Sequence, residues 1–204
     1  MTKQRKAQIK RKTKETDITV KLNIDGAGKS KIKTGIGLLD HMLELFAFHG
    51  LFDLDIIAKG DFKVDRHHTN EDIGIVLGQA FKKALGNKTG IKRFGSASVP
   101  MEDVVAYVAV DISGRGFLKL ENEIPKFTGK PVTNYEYSTK DVEHFFESFA
   151  KHIGANLNIK ISNPSADLHT TLEPVFKALG IALDQATQID PRRRGIPSTK
   201  GVID

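Results

Sequence analysis

The chain contains no cysteine among its 204 residues, and this absence removes several kinds of chemistry. Without thiols the protein has no disulfide, no thiolate metal site and no cysteine nucleophile. It also lacks any run that approaches the roughly 20 apolar residues needed to cross a bilayer. The N-terminal segment, residues 1–16, has no apolar core of the kind found in secretory signals. We therefore expect a cytoplasmic protein without a membrane partner.

An even spread of positive charge is missing as well, although the formal net charge is +6. Residues 1–14 carry seven Lys or Arg and no acid, and residues 191–204 carry four against one Asp. Between them, residues 15–190 hold 20 basic and 24 acidic side chains. Basic ends of this kind can bind RNA, bind the phosphate of a small substrate or keep a protein soluble. The acidic body does not favour a nucleic-acid partner.

The seven histidines follow an internal repeat. Each half of the chain has a segment with two histidines eight residues apart, and later a histidine four residues before a glutamate. The matched residues are His41, His49, His67 and Glu71 in the first half and His144, His152, His169 and Glu173 in the second. The first and third histidines are 26 residues apart in one half and 25 in the other, so we infer a duplication.

Hydrophobic periodicity predicts the order strand, strand, helix, strand, helix in each half. In the first half these are strands at 18–25 and 29–34, joined as a hairpin through Gly26 and Gly28, a helix at 38–50, a strand at 51–59 and a helix from about His67 to Gly86. The second half adds a longer excursion, residues 121–140, before its first helix. The mixture predicts an α+β fold in which sheets pack on helices, built twice.

The start of each second helix decides where its histidines lie. Thr69 and Asp72 resemble a capping box, which would begin the first of these helices near Thr69. Proline is tolerated in the first turn of a helix but costs about 3 kcal/mol deeper in, so Pro174 predicts that the other begins near Thr170 or Thr171. The histidines would then lie at or just before the N-terminal turns.

Imidazole and carboxylate groups at these positions favour a metal site for Mn, Fe, Zn, Co or Ni. A lone histidine is more often an ordinary polar residue, and that alternative holds for His49 and His152. Neighbours on a helix diverge by about 100°, so His67 and His68 indicate two ions rather than one. The candidate ligands that the repeat holds in register are His41, His67, His68, Glu71, His144, His169 and Glu173.

Six segments together resemble the imidazoleglycerol-phosphate dehydratases of histidine biosynthesis. They read LLDHML, DRHHTNEDIGIVLGQA, RFGSASVPMEDVVAYVAVDISGR, VEHFFESFA, FKALGIAL and IPSTKG, and the likeness extends over roughly residues 5–201. It implies a duplicated small sheet-plus-two-helix unit, similar to the second domain of ribosomal protein S5. Residues 1–204 would form a single domain with repeats at about 5–92 and 93–190 and a basic C-terminal tail at 191–204.

The resemblance also implies an activity, the dehydration of D-erythro-imidazoleglycerol phosphate to imidazole acetol phosphate. The proton that is lost does not lie beside a carbonyl, so a site with two Mn²⁺ ions is expected to stabilise an imidazolate. All seven candidate ligands match metal ligands of the family. The residues matched to catalysis are Glu15, Glu71 and Glu173, with Glu15 moving the proton. Those matched to substrate binding, mostly to its phosphate, are Arg93, Arg115, Lys177, Ser198 and Lys200. The family further implies a 24-subunit shell whose sites are shared between subunits.

Two residues depart from the family pattern. Thr170 stands where a second histidine is expected, and Leu45 stands where glutamine is usual. The first departure leaves one of eight expected metal ligands without an imidazole. An alternative function is therefore a catalytically impaired, metal-organised assembly protein.

Two other classes also remain open. Similar α+β units occur in RNA-binding proteins, and RNA affinity that falls steeply with salt, without bound metal, would favour that class. A dinuclear metallohydrolase shares the ligand types but usually needs bridging aspartates, which are scarce here.

Overall fold

The computed structural model describes residues 5–121 and 137–203, which form two four-stranded sheets and four helices. The first half contains β1 Lys6–Lys12, β2 Thr16–Asn23, β3 Ser30–Lys33, α1 Gly37–His49, β4 Asp53–Gly60 and α2 His67–Leu85. The second contains β5 Phe94–Met101, β6 Val104–Asp111, β7 Phe117–Glu121, α3 Thr139–Ile153, β8 Asn156–Ser162 and α4 Leu168–Thr187. The larger part of the predicted excursion, residues 122–136, lies outside the described residues.

The two sheets have the same topology. Their strand orders are β1-β2-β4-β3 and β5-β6-β8-β7, and the element order is the same in both halves. Neighbouring strands are antiparallel except β3–β4 and β7–β8, which are parallel. A helix, α1 or α3, links the two strands of each parallel pair, as parallel pairing requires a crossover. The predicted α+β class with an internal duplication is confirmed.

The helices lie between the sheets and pair across the two halves. Helix α2 packs against α3, and α1 packs against α4. Glycines permit this close approach, since a Cβ at Gly74 would lie 2.8 Å from the carbonyl oxygen of Phe145. Phenylalanines from both halves, including Phe46, Phe81 and Phe149, meet edge to face in the buried centre. The pairing brings each first helix beside the second helix of the other half.

Several sequence predictions about individual elements are confirmed and others are wrong. The helix ending at Gly50, the strand that became β4 and the helix from His67 to about Gly86 are confirmed. The predicted hairpin between β2 and β3 is wrong because β4, whose Leu54 and Ile56 are buried, lies between them. Strands β1 and β5 were not predicted. No helix in the described part of the chain has both the length and the apolar character needed to span a membrane.

The capping box at Thr69 and the predicted start of the other second helix near Thr170 or Thr171 are wrong. Helix α2 begins at His67 and places Thr69 inside the helix, fully buried, so Thr69 is not its cap. Helix α4 begins at Leu168 after Asp167, whose carboxylate accepts hydrogen bonds from the backbone N–H groups of the first turn. Pro174 therefore lies inside α4, beyond its first turn. The histidines lie in the first turns of the helices themselves.

Candidate active site

The first cluster lies where α2 and α3 pack together. Nδ1 of His67 lies 2.9 Å from Nδ1 of His144, and Nε2 of His67 lies 3.5 Å from the carboxylate of Glu71. A buried polar link holds the two helices at this level. The Asn70 side chain donates to the backbone oxygen of Asp141 at 2.7 Å and accepts from the Tyr137 hydroxyl at 2.7 Å.

The second cluster is its counterpart between α1 and α4. The imidazole rings of His41 and His169 stack with their centroids 5.0 Å apart. Ligand atoms of His41, His169 and Glu173 all lie within 4.8 Å of one another. Lys177 donates to the carboxylate of Glu173 at 2.7 Å, and this contact is the main reason that the pKa of Glu173 is lowered. Glu173 is therefore held ionised beside two imidazoles.

His68 points away from His67 and belongs to a third group. Its Nδ1 lies 3.1 Å from the carboxylate of Asp61 and 3.8 Å from that of Glu15, which is exposed in the turn between β1 and β2. The hydrogen bond that His68 donates to the Asp61 carboxylate is the largest cause of the raised pKa of His68. The structure thus shows the divergence of the two adjacent histidines that helical geometry predicts.

These residues fit divalent metal ions in their donor chemistry and partly in their geometry. Imidazole nitrogens and carboxylate oxygens are ligands that suit Mn²⁺. Among the described residues, two groups have three ligand atoms within 4.8 Å: the second cluster and the set Glu15, Asp61 and His68. In the first cluster His67 directs its two ring nitrogens at different partners, so a shared ion there would require the ring to turn.

The residues matched to phosphate binding lie elsewhere in the chain. Arg93 donates from Nε and Nη2 to the Asp111 carboxylate, and from Nη1 to the Pro197 backbone oxygen at 3.0 Å. Ser198 follows Pro197, and its hydroxyl oxygen accepts from the backbone N–H of Lys200. The structure therefore groups Arg93 with the C-terminal segment.

A long distance separates that group from the second cluster within one chain. The backbone N–H of Arg93 donates to Ala186, which lies 17 residues after His169 in α4, about 25 Å along the helix axis. Arg115 lies apart in the exposed β6–β7 turn. Lys177 alone of the five lies with metal-ligand candidates, beside Glu173.

The two departures from the family pattern have defined surroundings. The Thr170 hydroxyl donates to the Asp167 carboxylate at 2.7 Å, so it supports the start of α4. Leu45 is partly buried and packs against the hydrophobic core. Thr170 therefore supplies no imidazole nitrogen in place of the expected histidine. Leu45 supplies no side-chain amide in place of the usual glutamine.

Asp61 is a candidate site residue that sequence reasoning missed. It follows β4 directly and lies before α2 begins, so neither the repeat nor a helical spacing points to it. His152, by contrast, behaves as an ordinary polar residue, with its Nδ1 2.8 Å from the backbone oxygen of Ser148 in its own helix.

Comparison with known proteins gives a consistent result along the chain. Residues 34–183 match the family model described as imidazoleglycerol-phosphate dehydratase. The chain is 53% identical over 199 residues to the enzyme of that name from Thermoanaerobacter sp. (strain X514), covering 98% of this chain and 100% of the relative. It is 53% identical over 201 residues to the one from Methanocella arvoryzae, with the same coverage.

Solved structures agree with the sequence comparison. The crystal structure of the Pyrococcus furiosus enzyme in complex with (S)-C348 has a TM-score of 0.78 at 36% identity, covering 95% of this chain and 99% of that one. The Staphylococcus aureus enzyme has a TM-score of 0.76 at 32% identity, covering 91% of this chain and 99% of that one. The chain belongs to the imidazoleglycerol-phosphate dehydratase family, hydro-lyases of histidine biosynthesis.

Proposed function

We propose that the chain dehydrates imidazoleglycerol phosphate to imidazole acetol phosphate at a site that holds two Mn²⁺ ions. The observation that carries this proposal is the pairing of histidines and glutamates from opposite halves: His41 with His169 and Glu173, and His144 with His67 and Glu71. When bound, the ions supply Lewis acidity toward the imidazole of the substrate. A fold maintained only for stability would have no need of two equivalent imidazole–carboxylate clusters.

Proton transfer is assigned to Glu15. Its carboxylate is exposed, so a substrate can reach it, and it lies 3.8 Å from His68. A positioned carboxylate of this kind accelerates proton transfer by about 10²–10⁴-fold. Glu71 and Glu173 contribute negative charge near the positive ends of α2 and α4. Lys177 keeps Glu173 ionised, and therefore able to act as a ligand.

We propose further that complete sites form between subunits. Arg93 and the C-terminal segment lie about 25 Å along α4 from His169. A phosphate on a three-carbon chain cannot reach across that distance while the imidazole is held at His169. The phosphate-binding residues of one subunit would then serve the metal clusters of another, in the 24-subunit shell expected from the family resemblance. The charged substrate does not cross bilayers unaided, which supports a cytoplasmic location.

An assay of product formation tests the proposed reaction. The purified chain, saturated with Mn²⁺, is expected to release imidazole acetol phosphate, and Glu15→Gln is expected to lower kcat by at least about 100-fold. Asp103→Asn is the matched control because Asp103 is an exposed acid in the equivalent β5–β6 turn of the other half. It is expected to keep wild-type kcat. A wild-type chain without product would instead favour the impaired assembly protein.

A further inference from the structure

A partly buried polar network connects α2 to the turn that carries Glu15. Asp72 is 8% exposed, and its carboxylate accepts from Arg11 Nε at 2.8 Å and from the Thr16 hydroxyl at 2.5 Å. Arg11 is in β1 and Thr16 begins β2, so one carboxylate holds both strands beside the turn between them. Asp72 directly follows Glu71, a candidate metal ligand.

The network has a defined direction. Because an ionised carboxylate only accepts hydrogen bonds, Thr16 gives its hydroxyl proton to Asp72. The Thr13 hydroxyl, 3.2 Å from that of Thr16, must then donate to it. The Thr13 oxygen in turn accepts from the backbone N–H groups of Glu15 and Thr16, at 3.1 and 3.0 Å. The charge on Asp72 thereby orients a chain of bonds that ends at the Glu15 backbone.

The second half of the chain shows that the fold does not need this network. By the matched strand registers and helix positions, Arg11, Thr16 and Asp72 correspond to Val99, Val104 and Pro174. Val104 and Pro174 are buried, and Val99 packs against the core. An apolar set therefore supports the same strand–turn–strand unit where the turn carries no proposed catalytic group. The polar set occurs only in the half that carries Glu15.

We propose that Asp72, acting through Thr16 and Thr13, is a positioning residue that holds Glu15 beside His68 for proton transfer. This inference rests on the proposed function of Glu15. Arg11 supplies the cation that balances the largely buried carboxylate. The network touches no reacting atom, so its effect is on the placement of the Glu15 carboxylate and hence on kcat. Misplacement of a catalytic group by about 1 Å can cost on the order of 100-fold in rate.

A pair of substitutions at Thr16 tests the inference. Thr16→Val removes the hydroxyl at nearly constant volume, and Val104 shows that valine suits the equivalent position. It is expected to lower kcat by about 10–100-fold while KM changes by less than about threefold. Thr16→Ser retains the hydroxyl and is expected to restore kcat to within about threefold of wild type. Asp72→Asn, of equal size, is expected to lower kcat as Thr16→Val does and provides a second variant should that one fail to fold.

Bound manganese and assembled mass are measured on the same samples. The inference predicts both unchanged in the folded variants, because Glu71 and the histidines keep their places. Wild-type kcat in both Thr16→Val and Asp72→Asn would overturn it. The inference would also be overturned if Thr16→Ser had a kcat as low as that of Thr16→Val. A fall in kcat accompanied by an equal fall in bound manganese would overturn it as well. A wild-type chain without dehydratase activity would overturn the proposed function, and this inference with it.

Discussion

Nδ1 of His67 and Nδ1 of His144 lie 2.9 Å apart although the two residues are 77 positions apart in the sequence. Only one of these facing nitrogens carries a proton when both rings are neutral, so one donates and the other accepts. The contact exists because α2 and α3, from different halves, pack unusually closely. The geometry of the first cluster therefore depends on the small residues that face α3.

Gly78→Ala is expected to destabilise the protein and disturb the first cluster. A Cβ at Gly78 would lie 2.8 Å from the backbone oxygen of Phe149, so α3 would have to move. Overpacking of this kind costs about 1–3 kcal/mol, which lowers the melting temperature by roughly 2–4 °C per kcal/mol in a chain of this size. Gly37→Ala is the control, since a Cβ there meets nothing within 4 Å. Equal melting temperatures for both variants, measured by calorimetry, would contradict the close packing.

Arg93→Ala is expected to weaken binding of the phosphorylated substrate. The side chain ties Asp111 to the segment that carries Ser198 and Lys200, and its guanidinium offers the forked charge that phosphate prefers. We expect KM to rise at least about tenfold, the cost of one lost charge-assisted contact. Arg192→Ala removes a solvent-exposed guanidinium, 87% accessible, and should leave KM within about twofold. Equal KM values for Arg93→Ala and the wild-type protein, measured by steady-state kinetics, would show that Arg93 does not bind the substrate.

Asp25 gives a prediction about pH and stability. Its pKa is lowered, chiefly by the hydrogen bond from the Arg5 side chain, which also donates to the backbone oxygen of Thr187. Because the pKa of Asp25 is lowered in the folded protein, its ionised carboxylate stabilises the folded state at pH values above the ordinary pKa of 3.8. The stabilisation is lost as the pH falls through the folded-state pKa.

The free energy of unfolding of Asp25→Asn should accordingly lie below that of wild type at neutral pH. The difference should shrink as the pH falls below 3.8. Urea denaturation of both proteins with chelator present keeps metal loss out of the comparison. A difference that stays constant down to pH 2 would show that the Arg5–Asp25 pair does not act through ionisation.

Thr170→His tests the departure from the family pattern. Thr170 offers no imidazole, so we expect one Mn²⁺ position to be short of a protein ligand and to bind more weakly than the other. The histidine should tighten that position by at least about 10–100-fold, because the loss of even a residue that only holds a metal ligand in place costs that much affinity. Thr170→Ala is the matched control, because both variants lose the hydroxyl bond to Asp167 and only one gains a ligand. Two equally tight sites in the wild-type protein, seen by titration, would show that another group completes the set.

The elements that sequence reasoning found are those with strong local periodicity. Helix α1 and strand β4 bury residues at their own characteristic spacings, so each is readable alone. Strand β1 was missed because its sequence, KAQIKRK, is dominated by charge. It lies at the edge of its sheet, with lysines at its exposed positions, where such residues prevent association through the edge. The predicted β2–β3 hairpin was wrong because β2 and β3 each pair with β4, and this pairing is set by tertiary contacts rather than by the local sequence.

The part of the candidate site that could be predicted from the sequence is the set of residues that the internal repeat places at matched positions. The histidines and glutamates stand at matched spacings, whereas the contacts of Asp61 with His68 and of Asp72 with Thr16 are formed only by the folded chain. Asp72 was noticed in the sequence and assigned to a capping box. That role is wrong, because its carboxylate faces Arg11 and Thr16 instead. No spacing along the chain reports a contact between α2 and the β1–β2 turn.

Manganese held by the paired histidine–glutamate clusters is the central requirement of the proposed reaction. The most direct measurement follows dehydratase rate and bound Mn²⁺ together, while metal is first removed by a chelator and then restored by titration. We predict that the metal-free protein is inactive and that the rate returns as Mn²⁺ approaches two per chain, with the last part of the recovery requiring excess metal. Full turnover by protein shown to contain no divalent metal would contradict the account.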